Sequence, residues 1–342
     1  LAINGGSPIR TKGWKDNWST GVEEKVAVCR VLDSGYLSMF EGSHVPDPPF
    51  SFYGGPEVQN LEREWCDYYE VDHAVSMNSA TSGLYAAIGA LEIGYGDEVI
   101  VSPYTMTACA MAPLIYGAIP VFADVEEATG CLDASSIRAC LTEKTRAILV
   151  VHQFGIPADM DEITKIAREN NLKVIEDCAQ AHGAIYKGRS VGTIGDIGVF
   201  SLNVNKTIQS GEGGVCTTND EDVAYRLSLI RNHGEAVVGP AEYQNIVNIA
   251  GFNFRLTEIQ AAIAREQLKK LGTLNKHRLE LVEALSERLA KISFLTVPSG
   301  RRDCLSTYYV YPLLFEESSV GVSRSTFVSA VNGEGALFYE GY

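Results

Sequence analysis

Four short polar segments of the sequence carry side chains that could do chemistry, and each follows an apolar stretch. They are Asn78–Gly83, Glu176–Gly183, Phe200–Lys206 with the nearby Gly211–Gly214, and Gly251–Glu258. In open parallel sheets, ligands bind beyond the carboxyl ends of the strands. Polar residues directly after buried strands are therefore the first place to look for a site.

The first and third segments suggest an anion site and a reactive amine. Small polar residues at a helix start leave backbone N–H groups that can hold a phosphate, although those in Asn78–Gly83 could instead only cap the helix. Lys206 follows a predicted buried strand and precedes glycines. Burial there can lower its pKa, as an imine-forming amine requires. Taken alone, Lys206 could equally be a solvated surface charge.

The other two segments hold carboxylates and aromatic residues. Glu176 and Asp177 end a predicted buried strand, and a buried carboxylate needs either a structural ion pair or the positive group of a ligand. His182 fits a packed, hydrogen-bonded histidine as well as a catalytic one. The segment Gly251–Glu258 could be only a loop packed at a helix start. An acid for a pyridinium nitrogen, a lysine for an aldehyde and a helix start for a phosphate are together the handles of pyridoxal phosphate.

These segments lie within an alternation of strand-like and helix-like stretches. Nearly continuous apolar runs predict strands buried on both faces of a mostly parallel sheet, joined by right-handed helical crossovers in a doubly wound α/β domain. The predicted strands are His73–Ser79, Glu98–Pro103, Ile119–Val125, Arg146–Phe154, Leu172–Cys178, Ile197–Leu202 and Gly214–Thr218. The predicted helices between them are Thr81–Leu91, Met106–Tyr116, Ala134–Leu141 and Met160–Asn170.

The flanking regions predict two further parts. An N-terminal helical segment (1–35) precedes the large domain (36–255), and a smaller α+β domain (256–342) follows it. The elements expected in these flanks are a helix over Gly21–Leu32, two long helices over Thr257–Leu271 and Lys276–Ile292, and a strand over Thr307–Phe315.

The segment Ser43–Gly55 reads as a loop with exposed aromatics, since prolines and glycines flank Phe50, Phe52 and Tyr53. It either packs on its own domain or covers a site, its own or a neighbour's.

Composition excludes several classes of function. The 342 residues, 46% of them hydrophobic, are enough for one large and one smaller domain. The net charge of −15 disfavours nucleic acid and anionic membrane surfaces as partners. No apolar run is long enough to span a membrane and the start does not resemble a signal peptide, so we expect a soluble cytoplasmic protein. The eight cysteines are scattered singly, which predicts free thiols and no metal site.

The order of its motifs makes the sequence resemble the sugar aminotransferases of the DegT/DnrJ/EryC1/StrS type, within the fold-type-I class of pyridoxal-phosphate enzymes. The motifs are Gly5-Gly6, Asn78–Leu84, Gly117–Asp124, Glu176–Gly183, Phe200-Ser201 with Lys206, Gly211–Gly214, Arg231–Gly234 and Asn253–Arg255. The resemblance implies a large domain with a seven-stranded, mostly parallel sheet between helices, plus a smaller C-terminal α+β domain.

The resemblance also implies a role for each cofactor-binding residue. Lys206 would bind the cofactor aldehyde as a Schiff base, and Asp177 would pair with the protonated ring nitrogen. Gln180 would hydrogen-bond the ring hydroxyl. The phosphate would be held by Ser201, by the Ala80 and Thr81 amides, and by Asn253 of the neighbouring subunit, which makes the working unit a homodimer.

The sequence departs from the family pattern at two places. Relatives commonly place an aromatic ring over the cofactor where this chain has Met106, whose thioether makes a less rigid contact. Relatives also continue for several elements beyond the last residue, so we expect the sequence to stop partway through the small domain. On the substrate side we expect His182, Glu212, Arg255 and Tyr339 to contribute.

The implied reaction is a two-stage amino transfer through pyridoxal and pyridoxamine phosphate. Glutamate or glutamine gives its amino group to a keto sugar, nucleotide-linked by resemblance, with a keto-cyclitol as the alternative. Sugar dehydratases of the same fold have histidine in place of the lysine, and their iron–sulfur variant needs a cysteine cluster. A non-catalytic cofactor-binding regulator and a nicotinamide oxidoreductase remain further alternatives; the latter needs a G-x-G-x-x-G turn, which Asn78–Gly83 is not.

Overall fold

The computed structural model describes residues 1–15, 18–41, 50–234 and 249–341. They form two compact units. The larger unit comprises Thr20–Leu279 and Ser299–Val310, and the smaller comprises Leu1–Ser19, Glu280–Pro298 and Tyr311–Tyr342. The domain boundaries expected after residues 35 and 255 stay predictions.

The described residues contain ten α-helices and twelve strands. The helices are α1 Val22–Ser34, α2 Pro56–Tyr69, α3 Ala80–Ala90, α4 Ala108–Ile115, α5 Ala134–Cys140, α6 Met160–Glu169, α7 Glu221–Arg231, α8 Glu258–Leu289, α9 Glu317–Val320 and α10 Arg324–Gly333. The strands are β1 His73–Met77, β2 Glu98–Val101, β3 Ile119–Phe122, β4 Thr145–Val151, β5 Lys173–Asp177, β6 Ile185–Tyr186, β7 Arg189–Ser190, β8 Ile197–Ser201, β9 Gly214–Thr218, β10 Leu295–Thr296, β11 Cys304–Leu305 and β12 Leu314–Phe315.

A seven-stranded sheet in the order β1-β9-β8-β5-β4-β2-β3 is the centre of the larger unit. Only β9 runs antiparallel to its neighbours, β1 and β8. Along β4, Ile148 and Val150 join one buried apolar cluster with α2, α6 and α8, whereas Ala147 and Leu149 join another with α3, α4 and α7. Successive side chains of a strand point to opposite faces. The sheet is therefore buried on both faces, which confirms the α/β fold with a mostly parallel sheet.

The end of β5 is fixed by a fully buried carboxylate. Glu176 accepts hydrogen bonds from His152 Nε2 (2.9 Å) and from the backbone amides of Gly192 (2.8 Å), Ile194 (2.7 Å) and Gly195 (2.6 Å). His152 Nδ1 accepts from the Ala158 amide at 3.1 Å, so the ring proton lies on Nε2. Burial raises the pKa of Glu176. These hydrogen bonds lower it by a larger amount, so the pKa lies below its ordinary value.

The smaller unit has its own local packing. Strands β10 and β12 pair antiparallel. The ring of Phe315 stacks on Phe327 at 4.6 Å between centroids, and Phe294 meets both rings edge-on. The carboxylate of Glu334 accepts hydrogen bonds from the amides of Ala2 (2.8 Å) and Ile9 (3.0 Å).

The expectation of two helices after residue 256 is wrong, because α8 is one continuous helix. Gly272 and Asn275 are poor helix formers, which favoured a break. In the structure Asn275 is buried and its Nδ2 donates to the carbonyl of His182 at 2.8 Å. Tertiary packing therefore carries the helix through the weak stretch.

The expected strand over Thr307–Phe315 is also wrong, since only Leu314–Phe315 at its end is a strand. Tyr308 has a φ of 46°, outside the extended region. The amides of Thr307 and Tyr309 donate to the carbonyls of Gly155 (2.9 Å) and Phe154 (2.8 Å).

Four helices, α2, α7, α9 and α10, were not predicted, and one aromatic residue was placed wrongly. Phe52 is 1% exposed and packs beside Leu229 and Tyr225, so it is not an exposed loop residue. Phe50 and Tyr53 are exposed as expected. Residues 43–49 of the expected loop lie outside the described residues.

None of the helices described is long and apolar enough to cross a membrane. All eight cysteines are free thiols.

The buried carboxylate predicts a stability effect. Glu176→Gln should lower the free energy of unfolding by about 3 kcal/mol, because an amide cannot accept every hydrogen bond that the carboxylate accepts. Chemical denaturation at neutral pH measures this. Glu127→Gln, at an exposed position, is the matched control and should change little.

The difference in stability between wild type and Glu176→Gln should also depend on pH. The folded-state pKa of Glu176 lies below its ordinary value of 4.5, so the stabilisation is present above that pH and is lost as the pH falls toward the folded-state pKa. The gap between wild type and Glu176→Gln should therefore narrow below about pH 4.5. A gap that widens there would contradict this assignment.

Candidate active site

Three strand ends meet at one edge of the seven-stranded sheet. Asp177 is the last residue of β5 and Ser201 is the last residue of β8. Gly214, the first residue of β9, pairs with Ser201 on one side and with Met77, the last residue of β1, on the other. Because β1, β5 and β8 run in the same direction, their carboxyl ends and the segments that follow them share this edge.

The start of α3 presents free backbone amides at this edge. The side chain of Ser79 accepts a hydrogen bond from the Ser82 amide at 3.0 Å. Ser82 Oγ in turn donates to Asn78 Oδ1 at 2.6 Å. Among the described residues, the amides of Ala80 and Thr81 have no hydrogen-bond acceptor. The serine cap therefore orders the helix start and leaves two donors for an anion.

Gly214 allows β9 to approach this helix start. A Cβ atom added at Gly214 would lie 2.6 Å from the backbone N of Ala80 and 2.6 Å from the carbonyl carbon of Ser79. No side chain fits in that space, so glycine at this position is a condition for the geometry of the anion site.

Asp177 is held as an oriented carboxylate. Its Oδ1 accepts a hydrogen bond from the Ala179 amide at 2.9 Å, and its Oδ2 accepts one from the thiol of Cys109 at 3.1 Å. Asp177 is 6% exposed and Cys109 is fully buried in α4. Each oxygen keeps a free lone pair that can face a ligand cation. Sequence reasoning missed Cys109, because a lone cysteine in a helix carries no sign of its partner.

Lys206 lies in a tight turn after β8. The Lys206 amide donates to the Asn203 carbonyl at 2.9 Å, and the Val204 amide donates to the Gly211 carbonyl at 2.9 Å. Burial lowers the pKa of Lys206, and the charge of Asp177 opposes this effect. Nζ lies 4.6 Å from the centroid of the Tyr309 ring. The amine is thus partly desolvated and near the carboxylate, as a nucleophilic lysine requires.

Gln180 reaches the turn that follows β4. Its Oε1 accepts a hydrogen bond from the Phe154 amide at 2.7 Å, and the residue is 4% exposed. The carbonyl of Phe154 accepts from the amide of Tyr309. Sequence reasoning missed Tyr309 at the site, because its segment was assigned to a strand of the small domain.

Met106 and Asn253 are both exposed. Met106 is 59% exposed, three residues before Cys109. The carbonyl of Asn253 accepts a hydrogen bond from Asn78 Nδ2 at 3.2 Å, which ties its backbone to the start of the anion site in its own chain. The expected contact of its side chain with a neighbouring subunit stays a prediction.

The expected substrate residues are placed very differently from one another. His182 is fully buried against Trp65 and Phe200, and burial together with the nearby charge of Lys206 lowers its pKa to about 3. It is a neutral core histidine without a solvent-accessible atom. Its predicted contact with substrate has no geometric support in this conformation.

Of the other three expected substrate residues, Glu212 and Tyr339 are exposed and Arg255 is partly buried. Glu212 is exposed and accepts a hydrogen bond from Asn203 Nδ2 at 2.9 Å. Arg255 is half-buried and donates to Asn232 Oδ1 at 3.0 Å. Tyr339 is 85% exposed and belongs to the smaller unit. Residues 235–248 lie outside the described residues.

The residues at this edge fit pyridoxal phosphate. Two free amides and Ser201 offer donors to a phosphate, Asp177 offers an oriented carboxylate to a ring nitrogen, and Lys206 offers a partly desolvated amine. The buried carboxylate beside them, Glu176, is already saturated with protein donors. The two adjacent acids therefore have separate tasks.

The chain is similar to known proteins over most of its length. Residues 50–340 match the model of the DegT/DnrJ/EryC1/StrS aminotransferase family. The L-glutamine:2-deoxy-scyllo-inosose aminotransferase of Streptomyces lividus is 35% identical over 98% of this chain and 78% of its own length. The solved aminotransferase from Psychrobacter cryohalolentis is 36% identical with a TM-score of 0.83, covering 93% of this chain and 82% of that one. DesI, solved in the presence of its TDP-sugar product, is 28% identical with a TM-score of 0.84, covering 98% and 81%.

The close approach of β9 to α3 can be tested by substitution. Gly214→Ala should displace the Ala80 and Thr81 amides and weaken binding of pyridoxal phosphate at least about tenfold, as expected for the loss of one or two hydrogen bonds. Absorbance titration of the apoprotein measures this affinity.

The matched control is Gly272→Ala, where an added Cβ meets nothing within 4 Å. It should leave the affinity unchanged and raise stability by about 1 kcal/mol, because alanine is the better helix former. Wild-type affinity in Gly214→Ala would show that these amides do not hold the phosphate.

Proposed function

Because the chain belongs to the DegT/DnrJ/EryC1/StrS aminotransferase family, we propose that it transfers an amino group from glutamate or glutamine to a nucleotide-linked keto sugar. The chain is a pyridoxal-phosphate-dependent transaminase, and its substrates are a keto compound and an amino donor. The observation that carries the proposal is the meeting of Lys206, Asp177 and the α3 amides at one sheet edge.

Each of these groups has a defined task in the proposed reaction. When bound, pyridoxal phosphate supplies an aldehyde that accepts the amino group and a ring that absorbs negative charge. Asp177 holds a proton at the ring nitrogen, because an oriented carboxylate stabilises the positive charge there. Lys206 Nζ would hold the aldehyde end, and as a free amine it would accept the proton that leaves the donor's α-carbon. The α3 amides and Ser201 fix the phosphate and so the orientation of the ring.

The nature of the acceptor is supported by the relatives. DesI was solved with a TDP-sugar product, which favours a nucleotide-linked sugar. The similarity to 2-deoxy-scyllo-inosose aminotransferases over nearly the whole chain favours a keto-cyclitol as the second candidate. Incubation with TDP-keto sugars and with 2-deoxy-scyllo-inosose, each with L-glutamine or L-glutamate, separates the two by the mass of the aminated product. Amination of the cyclitol alone would overturn the sugar assignment.

We further propose a homodimer with shared sites that works in the cytoplasm. Asn253 would complete the phosphate site of the partner, and its exposure is compatible with this. The eight free thiols favour a reducing compartment.

The role of Lys206 predicts loss of activity without loss of fold. Lys206→Ala should lower the transamination rate by at least about 10³-fold, because both the covalent attachment and the proton transfer are removed. Wild-type protein should be yellow, and borohydride should fix the cofactor to Lys206 in a peptide that mass spectrometry identifies.

The exposed Lys144→Ala serves as the matched control and should keep wild-type activity. Circular dichroism should show the same fold in both variants. Turnover with an amino donor in Lys206→Ala would overturn the assigned role.

The shared site predicts complementation between two inactive variants. In a refolded 1:1 mixture of Lys206→Ala and Asn253→Ala chains, about a quarter of the wild-type activity should return, because half of the dimers are mixed and each has one intact site. Absence of any recovery, with mixed dimers demonstrated by native mass spectrometry, would count against the contribution of Asn253.

A further inference from the structure

Tyr309 is the close partner of the Lys206 amine. The distance of 4.6 Å from Nζ to the ring centroid lies within the range of a cation–π contact. Among the described residues, Nζ has no hydrogen bond and no ion pair. Asp177 acts on it through its charge, and the ring of Tyr309 lies within cation–π distance of it.

The ring is held in place by a rigid backbone junction. Tyr309 and Thr307 donate their amides to the carbonyls of Phe154 and Gly155 at 2.8 and 2.9 Å, and the Phe154 amide donates to Gln180 Oε1 at 2.7 Å. This chain of bonds connects Gln180, a predicted cofactor contact, to the residue whose ring lies within cation–π distance of Lys206.

The junction uses uncommon backbone conformations. Phe154, Gly155 and Tyr308 have φ angles of 58°, 83° and 46°. A Cβ added at Gly155 would lie 2.7 Å from Thr307 Oγ1 and 2.8 Å from the Tyr308 amide. Left-handed aromatic residues persist only where the surrounding structure fixes them, and they concentrate at functional sites. The backbone conformation is therefore tightly constrained where it positions the ring of Tyr309.

The charges around the Lys206 amine indicate how the ring of Tyr309 acts on it. Asp177 on β5 is the carboxylate near Lys206. His182 is neutral, because burial lowers its pKa to about 3. Arg278 on α8 donates to Thr207 Oγ1 at 2.8 Å and adds a second positive charge near Tyr309. In a region with two cations and one carboxylate, the negative face of a ring stabilises the ammonium without adding a charge.

We propose that Tyr309 is a positioning residue whose ring face holds the Lys206 amine where it can reach the cofactor aldehyde and the donor's α-carbon. This role rests on the proposed transaminase function and assigns part of that site to a segment about 100 residues further along the chain.

Two variants separate the ring face from the hydroxyl. Tyr309→Phe keeps the face, whereas Tyr309→Leu removes it and still fills the space with apolar atoms. The readout is the rate at which apoprotein captures pyridoxal phosphate between about pH 6 and 10, since capture needs the neutral amine. Borohydride trapping and mass spectrometry of the Lys206 peptide measure this without turnover.

The expected shift in the apparent pKa of Lys206 is opposite in sign to the shift that loosened packing would cause. Tyr309→Leu should lower the pH-independent capture rate about tenfold and lower the apparent pKa of Lys206 by about 0.5 to 1 pH unit, because the charged form loses its aromatic partner. Tyr309→Phe should stay within about threefold of wild type. Loosened packing would instead admit water and raise the pKa toward the ordinary value of 10.5.

Three outcomes would overturn the proposal, and the third would also overturn the proposed function. Equal behaviour of the Leu and Phe variants, or a raised pKa in Tyr309→Leu, shows that the ring does not position Lys206. If wild-type protein captures no cofactor at Lys206, the proposed function itself fails and this inference fails with it. Thermal unfolding of each variant identifies any that does not fold, and if Tyr309→Leu is one of them, Tyr309→Met against Tyr309→Phe gives the same comparison of an apolar side chain with a ring.

Discussion

The site depends on one buried carboxylate that takes no part in the chemistry. Glu176 is saturated by four protein donors, which tie the end of β5 to His152 and to the turn before β8. Because strand side chains alternate, Glu176 faces the cluster that includes α2, α6 and α8, and Asp177 faces the one that includes α4. A rigid structural acid thus fixes the direction of the functional acid beside it. Burying such a charge is tolerable only with this many donors.

The helix start proposed to hold the phosphate offers backbone amides and hydroxyl groups as donors. The net charge of −15 bears on extended polyanions, whose binding depends on long-range attraction. A single phosphate at a helix start needs only two or three oriented donors and the local helix dipole. The cap of Ser79 on Ser82 and the missing side chain at Gly214 provide that geometry. Global charge and local affinity are separate properties here.

Continuous apolar runs were sufficient to predict all seven strands of the main sheet from the sequence, because short runs of this kind between turn residues are typical of strands buried on both faces. Lys206, Asp177 and Ser201 were selected from their positions at or after the ends of those strands and from the family resemblance, and their roles stay predictions. The uninterrupted α8 did not follow, since the buried Asn275 overrides a weak local propensity. Cys109 and Tyr309 did not follow either, because a thiol–carboxylate bond and a ring over an amine are contacts between distant segments.

The contact of Tyr309 with Lys206 also sets an order of events during synthesis. The two residues close a loop of about 100 residues, and that loop contains α7 and all of α8. A nascent chain exposes every strand of the main sheet well before residue 309 leaves the ribosome, so its sheet can form first. Lys206 is then in place before Tyr309 has been translated, and the ring joins the pocket later. We expect completion of the pocket to be a late step in folding, because closing so large a loop is slow.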